Sequence, residues 1–206
     1  MKAVIICAAP EIDIDYILEY CNTADMIICA DGGLKYADML SVVPDLIVGD
    51  FDSYNNILPN NTEVKSLNTH KDNTDTFACI DEAIARGYDR ITLLCAIGGR
   101  LDHTFANLTA LDYMLDKGVC GEIISATERI QLLNKGNYRF DNMSGRTFSL
   151  FAFNCASCNV SYTDVEYPLQ SYTIKSSFPL GISNVFTGDS STITIHSGKA
   201  LLVLNN

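Results

Sequence analysis

The feature that most restricts how this chain can fold is an alternation along its first 125 residues or so. Short apolar runs at 3–7, 26–30, 46–48, 91–95 and 122–125, with a weaker one at 64–67, are separated by stretches of helical periodicity. The runs are apolar on both faces, the pattern of parallel strands covered by helices on each side. Between them Phe77, Ile80 and Ile84 recur at three- and four-residue spacing ahead of Gly87. A longer stripe, Leu101, Phe105, Leu108, Leu111 and Leu115, is closed by Lys117 and Gly118. Both stripes predict helices packed on a core.

After about Glu128 the character changes. Segments 147–153, 160–162, 171–174, 192–196 and 200–204 are β-rich, divided by Gly, Asn, Asp, Ser and Pro, and no strong helical period appears. The expected architecture is a Rossmann-like parallel α/β domain over 1–127 followed by a small all-β sandwich over 128–206. A length of 206 residues accommodates two such domains.

Composition removes several classes. Lys+Arg number 14 against 25 Asp+Glu, a formal charge of −11, so the chain repels polyanions and nucleic acid is not expected as a main partner. A cation, or a phosphate compound already carrying Mg²⁺, is not repelled. No stretch reaches the ~18 apolar residues of a membrane span. The opening apolar run meets Glu11, Asp13 and Asp15 at once, unlike a signal peptide. The expected location is cytoplasmic. Cys7, Cys29 and Cys95, three of eight cysteines, lie in apolar runs and read as small core residues of a reducing compartment. Cys155 and Cys158 form a lone C-x-x-C without the second half of a zinc site.

The acids fall in a pattern. The run 26–30 leads into Asp31-Gly32-Gly33, and 46–48 leads into Gly49-Asp50-Phe51-Asp52-Ser53. The run beginning at 91 leads into Gly98-Gly99-Arg100-Leu101-Asp102-His103, and Lys71-Asp72-Asn73-Thr74-Asp75 opens the helix of Phe77. In a parallel α/β sheet the carboxyl ends of the strands share one edge, where ligands bind. Carboxylates gathered there repel one another unless a cation sits among them, and Mg²⁺ takes oxygen ligands while leaving positions for phosphate. The glycine pairs let backbone N–H groups approach a ligand. Lys71 and Arg100 supply positive charge, and Arg100 is able to grip two oxygens. Each loop taken singly also has a structural reading: a turn at Asp31-Gly32-Gly33, turn caps at Asp50 and Asp52, an ordinary helix-start acid at Asp75.

In order and rough spacing these four motifs resemble thiamine pyrophosphokinase, as does Pro44-Asp45 ahead of the third run. In the second domain Gly181-Ile182-Ser183-Asn184 resembles the family's Ser-Asn element. The resemblance implies an α/β catalytic domain followed by a β-sandwich, working as a homodimer with active sites at the subunit interface. It implies pyrophosphoryl transfer from ATP to the hydroxyethyl oxygen of thiamine, giving thiamine diphosphate and AMP. It further implies Asp50, Asp52 and Asp75 as the Mg²⁺ ligands. An alcohol near a metal-bound carboxylate can pass its proton late, so a dedicated base is not obligatory, and Asp75 is the candidate if one exists. Asp31, Gly32, Gly33, Lys71, Arg100 and Asp102 are then ATP contacts, with Arg100 catalytic, and Ser183 and Asn184 belong to the thiamine pocket. Some family members stack the thiamine pyrimidine on Trp; this chain has no Trp, so either an aromatic such as Phe186 or Phe178 takes that place or the pocket is built differently, both Phe residues reading equally well as sandwich core.

Two other readings compete. An Asp-x-Asp pair such as Asp50-Phe51-Asp52 also occurs in haloacid-dehalogenase phosphatases, where it follows the first strand, and in metal-dependent glycosyltransferases; here it follows the third run. A non-enzymatic nucleotide or thiamine sensor predicts missing motif residues, whereas every proposed metal and phosphate ligand is present.

Overall fold

A computed structural model of the chain describes residues 1–11, 13–50, 62–67 and 74–205. They form two compact units, Met1–Ala126 and Thr127–Asn206. The first contains strands β1 (Lys2–Ile6), β2 (Met26–Ala30), β3 (Leu46–Gly49), β4 (Glu63–Ser66), β5 (Arg90–Leu94) and β6 (Cys120–Ile124). All pair in parallel, in the order β6-β5-β1-β2-β3-β4. Helices α1 (Asp15–Cys21), α2 (Leu34–Met39), α3 (Asp75–Ala85) and α4 (Leu101–Asp116) connect them. The chain lays β1 to β4 outward in one direction and then returns to place β5 on the other side of β1. That reversal opens a crevice at the carboxyl ends of β1 and β5.

The apolar runs are buried as two-sided strands must be: every residue of β3 is buried, as are Val4, Ile6, Cys29 and Leu94. β4 differs. All four of its residues are exposed, and the strand is dressed with charge: Lys65 pairs with Glu82, and Arg86 bridges Glu82 at 2.8 Å and Glu63 at 2.7 Å. A charged edge strand discourages pairing with other chains.

The stripe on α4 needs correction. Leu101 and Phe105 are 80% and 61% exposed, whereas Asn107, Ala110, Leu111 and Met114 are buried. Periodicity locates the apolar face of a helix but not where along its length packing begins, and here it begins a turn and a half in.

The second unit consists of β7 (Glu128–Leu133), β8 (Gly136–Asp141), β9 (Thr147–Ala152), β10 (Ser157–Thr163), β11 (Leu169–Lys175), β12 (Asn184–Val185), β13 (Ser190–Ser197) and β14 (Ala200–Asn205). Antiparallel pairing gives β12-β9-β14-β7 as one layer and β11-β10-β13-β8 as the other. Burial alternates along β9, β10 and β13, as one inward face requires. The core includes Leu150, Ile193, Leu202 and a stack of Phe148 on Phe186 at 4.5 Å. β7, β8 and β12 carried no clear strand signal in the sequence.

Candidate active site

A cavity of about 440 Å³ occupies the crevice. Its walls come from the segment after β1 (Cys7 to Pro10), the loop after β5 (Gly98 to Arg100), Asp31 after β2, the start of α3 (Thr74 to Thr76), and His103 and Asn107 on α4. Only the strand order brings the β1 and β5 loops together.

The two glycine pairs do more packing than the sequence suggests. A Cβ on Gly33 would lie 2.1 Å from the Ile6 carbonyl oxygen, and one on Gly99 2.7 Å from Pro10 Cδ. The segment following β1 is thus held between these pairs. Tyr36 of α2 fastens it: the buried phenol donates to the Ala9 carbonyl at 2.7 Å and accepts from the Glu11 N–H at 3.0 Å. Neither Ala8, Ala9 and Pro10 nor Tyr36 has a sequence signature of function, because the wall is made of backbone and small side chains.

Asp31 and Asp75 line the same cavity, and the charges of Asp31 and Asp50 are both felt at Asp75. Asp31 adopts φ of 38°, and its buried Oδ1 has no hydrogen-bond partner among the described residues. Thr74 caps α3 by accepting from the Phe77 N–H at 3.3 Å, which places Asp75 in the first turn. Burial, then the neighbouring charges of Asp31 and Asp50, push the Asp75 carboxyl above its ordinary range. Asp50 itself is exposed. Asp52, Lys71 and the rest of their loops lie outside the described residues, and among the described residues no three metal-type side chains converge on one point. The unpartnered Asp31 oxygen and the crowded Asp75 are nonetheless an oxygen-only donor set that suits Mg²⁺.

Arg100 and Asp102 form a bidentate pair, Nε to Oδ1 at 3.1 Å and Nη2 to Oδ2 at 2.5 Å, with Oδ1 also accepting from the His103 N–H. Both side chains are exposed, so a phosphate need not displace a buried contact to reach the guanidinium. On the β1 side Cys7 is inert: burial pushes its thiol up to about 12.

In the second unit Ser183 is exposed with φ of 56°, and its N–H donates to Ser149 Oγ at 3.0 Å. Asn184 is only 5% exposed. Its Oδ1 accepts from the N–H groups of Tyr167 (3.1 Å) and Val185 (2.9 Å), while Nδ2 donates to the Tyr167 carbonyl at 2.9 Å. The carboxamide therefore holds the backbone of Tyr167, whose exposed ring borders a second cavity of about 230 Å³ beside Asn184 and Ile182. Phe186 is fully buried in the aromatic stack and presents no free face, whereas Phe178 is 61% exposed. Tyr167 was missed because a lone loop tyrosine has neither period nor motif to mark it.

A parallel α/β unit with acidic loops at its switch point, followed by an antiparallel sandwich, defines a two-unit α/β-plus-β protein whose first unit carries an acidic ligand cavity. The thiamin pyrophosphokinase catalytic-domain model matches residues 17–120, and the thiamin pyrophosphokinase vitamin B1 binding domain model matches residues 134–202. The chain belongs to the thiamin pyrophosphokinase family. It is 24% identical over 210 residues to thiamine pyrophosphokinase of Bacillus subtilis (strain 168), covering 98% of each chain. The crystal structure of thiamine pyrophosphokinase from Bacillus subtilis superposes with a TM-score of 0.89 at 22% identity, covering 100% of this chain and 99% of that one. That of thiamin pyrophosphokinase from Candida albicans gives 0.83 at 20% identity, covering 99% and 89%. At these identities the structures speak for the fold alone.

Proposed function

We propose that the protein transfers the β,γ-pyrophosphoryl group of ATP to the hydroxyethyl oxygen of thiamine, releasing AMP, as a cytoplasmic homodimer that depends on Mg²⁺. The observation that carries this is the cavity at the switch point, where Asp31, Asp75 and Arg100 meet on loops of the family's catalytic domain. The bond that forms joins the thiamine oxygen to the β-phosphorus; the bond that breaks joins that phosphorus to the oxygen bridging to the α-phosphate, which leaves with AMP.

Such chemistry asks the protein mainly to position an alcohol in line and to neutralise phosphate charge. Asp50, Asp52 and Asp75 would hold Mg²⁺, which when bound offsets the charge of the phosphate oxygens. Arg100 and Lys71 grip phosphate, Arg100 being oriented by Asp102. Asp31, Gly32 and Gly33 complete the nucleotide side. Asp75 is the candidate for taking the hydroxyl proton. On the sandwich, Ser183 and Asn184 frame the thiamine pocket, and the exposed Tyr167 ring offers a face on which the pyrimidine stacks. The acidic crevice attracts the thiazolium cation.

Incubation with Mg²⁺, ATP and thiamine, followed by separation of the products, tests this. Thiamine diphosphate and AMP in equal amounts is the expected result. ADP with thiamine monophosphate overturns the assignment of the attacked phosphorus. Absence of any thiamine product brings forward a phosphohydrolase built on Asp50 and Asp52. Sedimentation of the purified protein as a monomer at working concentration removes the homodimer.

A further inference from the structure

The cavity at the switch point has two chemically different sides. Toward β2 and α3 it is anionic, with Asp31 and Asp75. Toward α4 it ends on Asn107, one turn beyond His103 on the same helix face. Asn107 is 8% exposed, and its Nδ2 donates to the Ala96 carbonyl at 2.6 Å. A carbonyl oxygen only accepts, so this bond decides which end of the carboxamide is nitrogen. Oδ1 is then left as an acceptor, and none of the described residues donates to it. Asn107 lines the cavity, and its Oδ1 is not among the enclosed side-chain oxygens that lack a partner, so this acceptor opens to solvent, where the donor of a ligand can replace water.

The chemistry of the ligand narrows which donor. Phosphate oxygens at neutral pH accept and do not donate, so the triphosphate has nothing to offer Oδ1. The nucleoside has ribose hydroxyls and an exocyclic amine. Resting on the reading that this cavity takes ATP, we infer that Asn107 is a specificity-determining residue: its Oδ1 accepts a hydrogen bond from a neutral donor of the nucleoside. That bond sets the direction of the nucleotide, nucleoside against Asn107 and phosphates toward Arg100 at the start of α4 and toward Asp31 and Asp75. It also places the reacting phosphorus on the side where the acids are.

The test is a set of dissociation constants, measured calorimetrically without thiamine, for ATP, 2′-deoxy-ATP, 3′-deoxy-ATP and the triphosphate of purine riboside, which lacks the amine. They are measured on wild type and on Asn107→Ala. Asn107→Ala is expected to weaken ATP about five- to tenfold, and to leave unchanged the binding of whichever analogue lacks the engaged donor. The analogue that stands out tells ribose hydroxyl from base amine. Each protein is compared with several ligands, so any effect of losing the Ala96 bond cancels. Equal weakening of all four ligands overturns the inference and leaves Asn107 a loop anchor. Should the alanine variant not fold, Asn107→Ser takes its place with the same pattern expected, and four equal constants on wild type overturn the inference. Wild type that binds no ATP at all overturns the ATP reading of the cavity itself.

Discussion

The acidic edge of the α/β unit and the Ser183-Asn184 element of the sandwich are both short polar motifs, but their side chains are used in opposite ways. At the edge, Asp31 keeps an oxygen without a partner among the described residues, and Asp75 is pushed up by its neighbours. These groups are held in a state that folding alone does not favour. Asn184 has every hydrogen bond of its carboxamide oxygen and one of its nitrogen directed to backbone. The lesson is that a polar motif acts on a ligand through what the fold leaves unsatisfied. A buried side chain whose bonds go to backbone acts by holding something else, here Tyr167.

Opposite substitution signatures follow. The largest effect is expected at the edge: Asp75→Asn, and likewise Asp52→Asn, lowers kcat by about 100-fold or more with an unchanged circular dichroism spectrum. Activity within a few-fold of wild type would remove the metal assignment. The same Asp75→Asn variant gives a pH test. Because the folded carboxyl titrates above its unfolded range, the ionised form penalises the fold. The penalty is complete above the folded pKa and gone below the ordinary aspartate range. Without Mg²⁺ the variant should therefore melt above wild type at pH 7, and the two curves should converge as the solution is acidified. A variant that melts below wild type at pH 7 would contradict the crowding.

Next come two glycines that the comparison treats alike. Gly33→Ala and Gly181→Ala each bring a methyl within 2.1 Å of a backbone oxygen, of Ile6 and Leu150 respectively. Each should cost about 1–3 kcal/mol in urea unfolding. A neutral result at either would show that the local backbone yields. Asn184→Ala should cost a similar or slightly smaller amount, about 1–3 kcal/mol for the stranded Tyr167 groups. It should also raise the thiamine KM more than the ATP KM by letting Tyr167 drift. Unchanged stability with a raised thiamine KM would reverse the comparison, making Asn184 a direct contact. The smallest effect is Tyr36→Phe, about 1 kcal/mol; it loosens the Ala9–Glu11 wall and shifts the ATP KM while sparing kcat and the thiamine KM.

Much of the first unit was legible because parallel strands and their covering helices are written as local periodicity. The 26–30 run coincides with β2, and the other five runs fall within a residue or two of their strands. In the sandwich, strong β runs such as 147–153 and 200–204 were equally plain. β8, with alternating Asn137, Arg139 and Asp141, was hidden among turn-forming residues. Phe105 and Leu101 misled because their spacing is helical and their surroundings are not core. Among site residues, Asp31, Asp75 and Arg100 were readable as charged groups at strand or helix ends and do line the cavity. Tyr36, Asn107 and Tyr167 were not, since each works through one or two hydrogen bonds or one exposed face that no pattern records.

By itself the sequence determined the two kinds of secondary structure and the acids at loops after strands, because these depend on neighbours along the chain. Only the tertiary structure decided where the crevice lies. The return of β5 to the free side of β1 is a long-range pairing, and it alone sets the Ala8–Pro10 wall against Gly99 and turns Asn107 toward the same space. It likewise decided that Phe186 is core and Tyr167 is surface. Burial is a property of what folds back over a residue, and twenty residues on either side do not contain it.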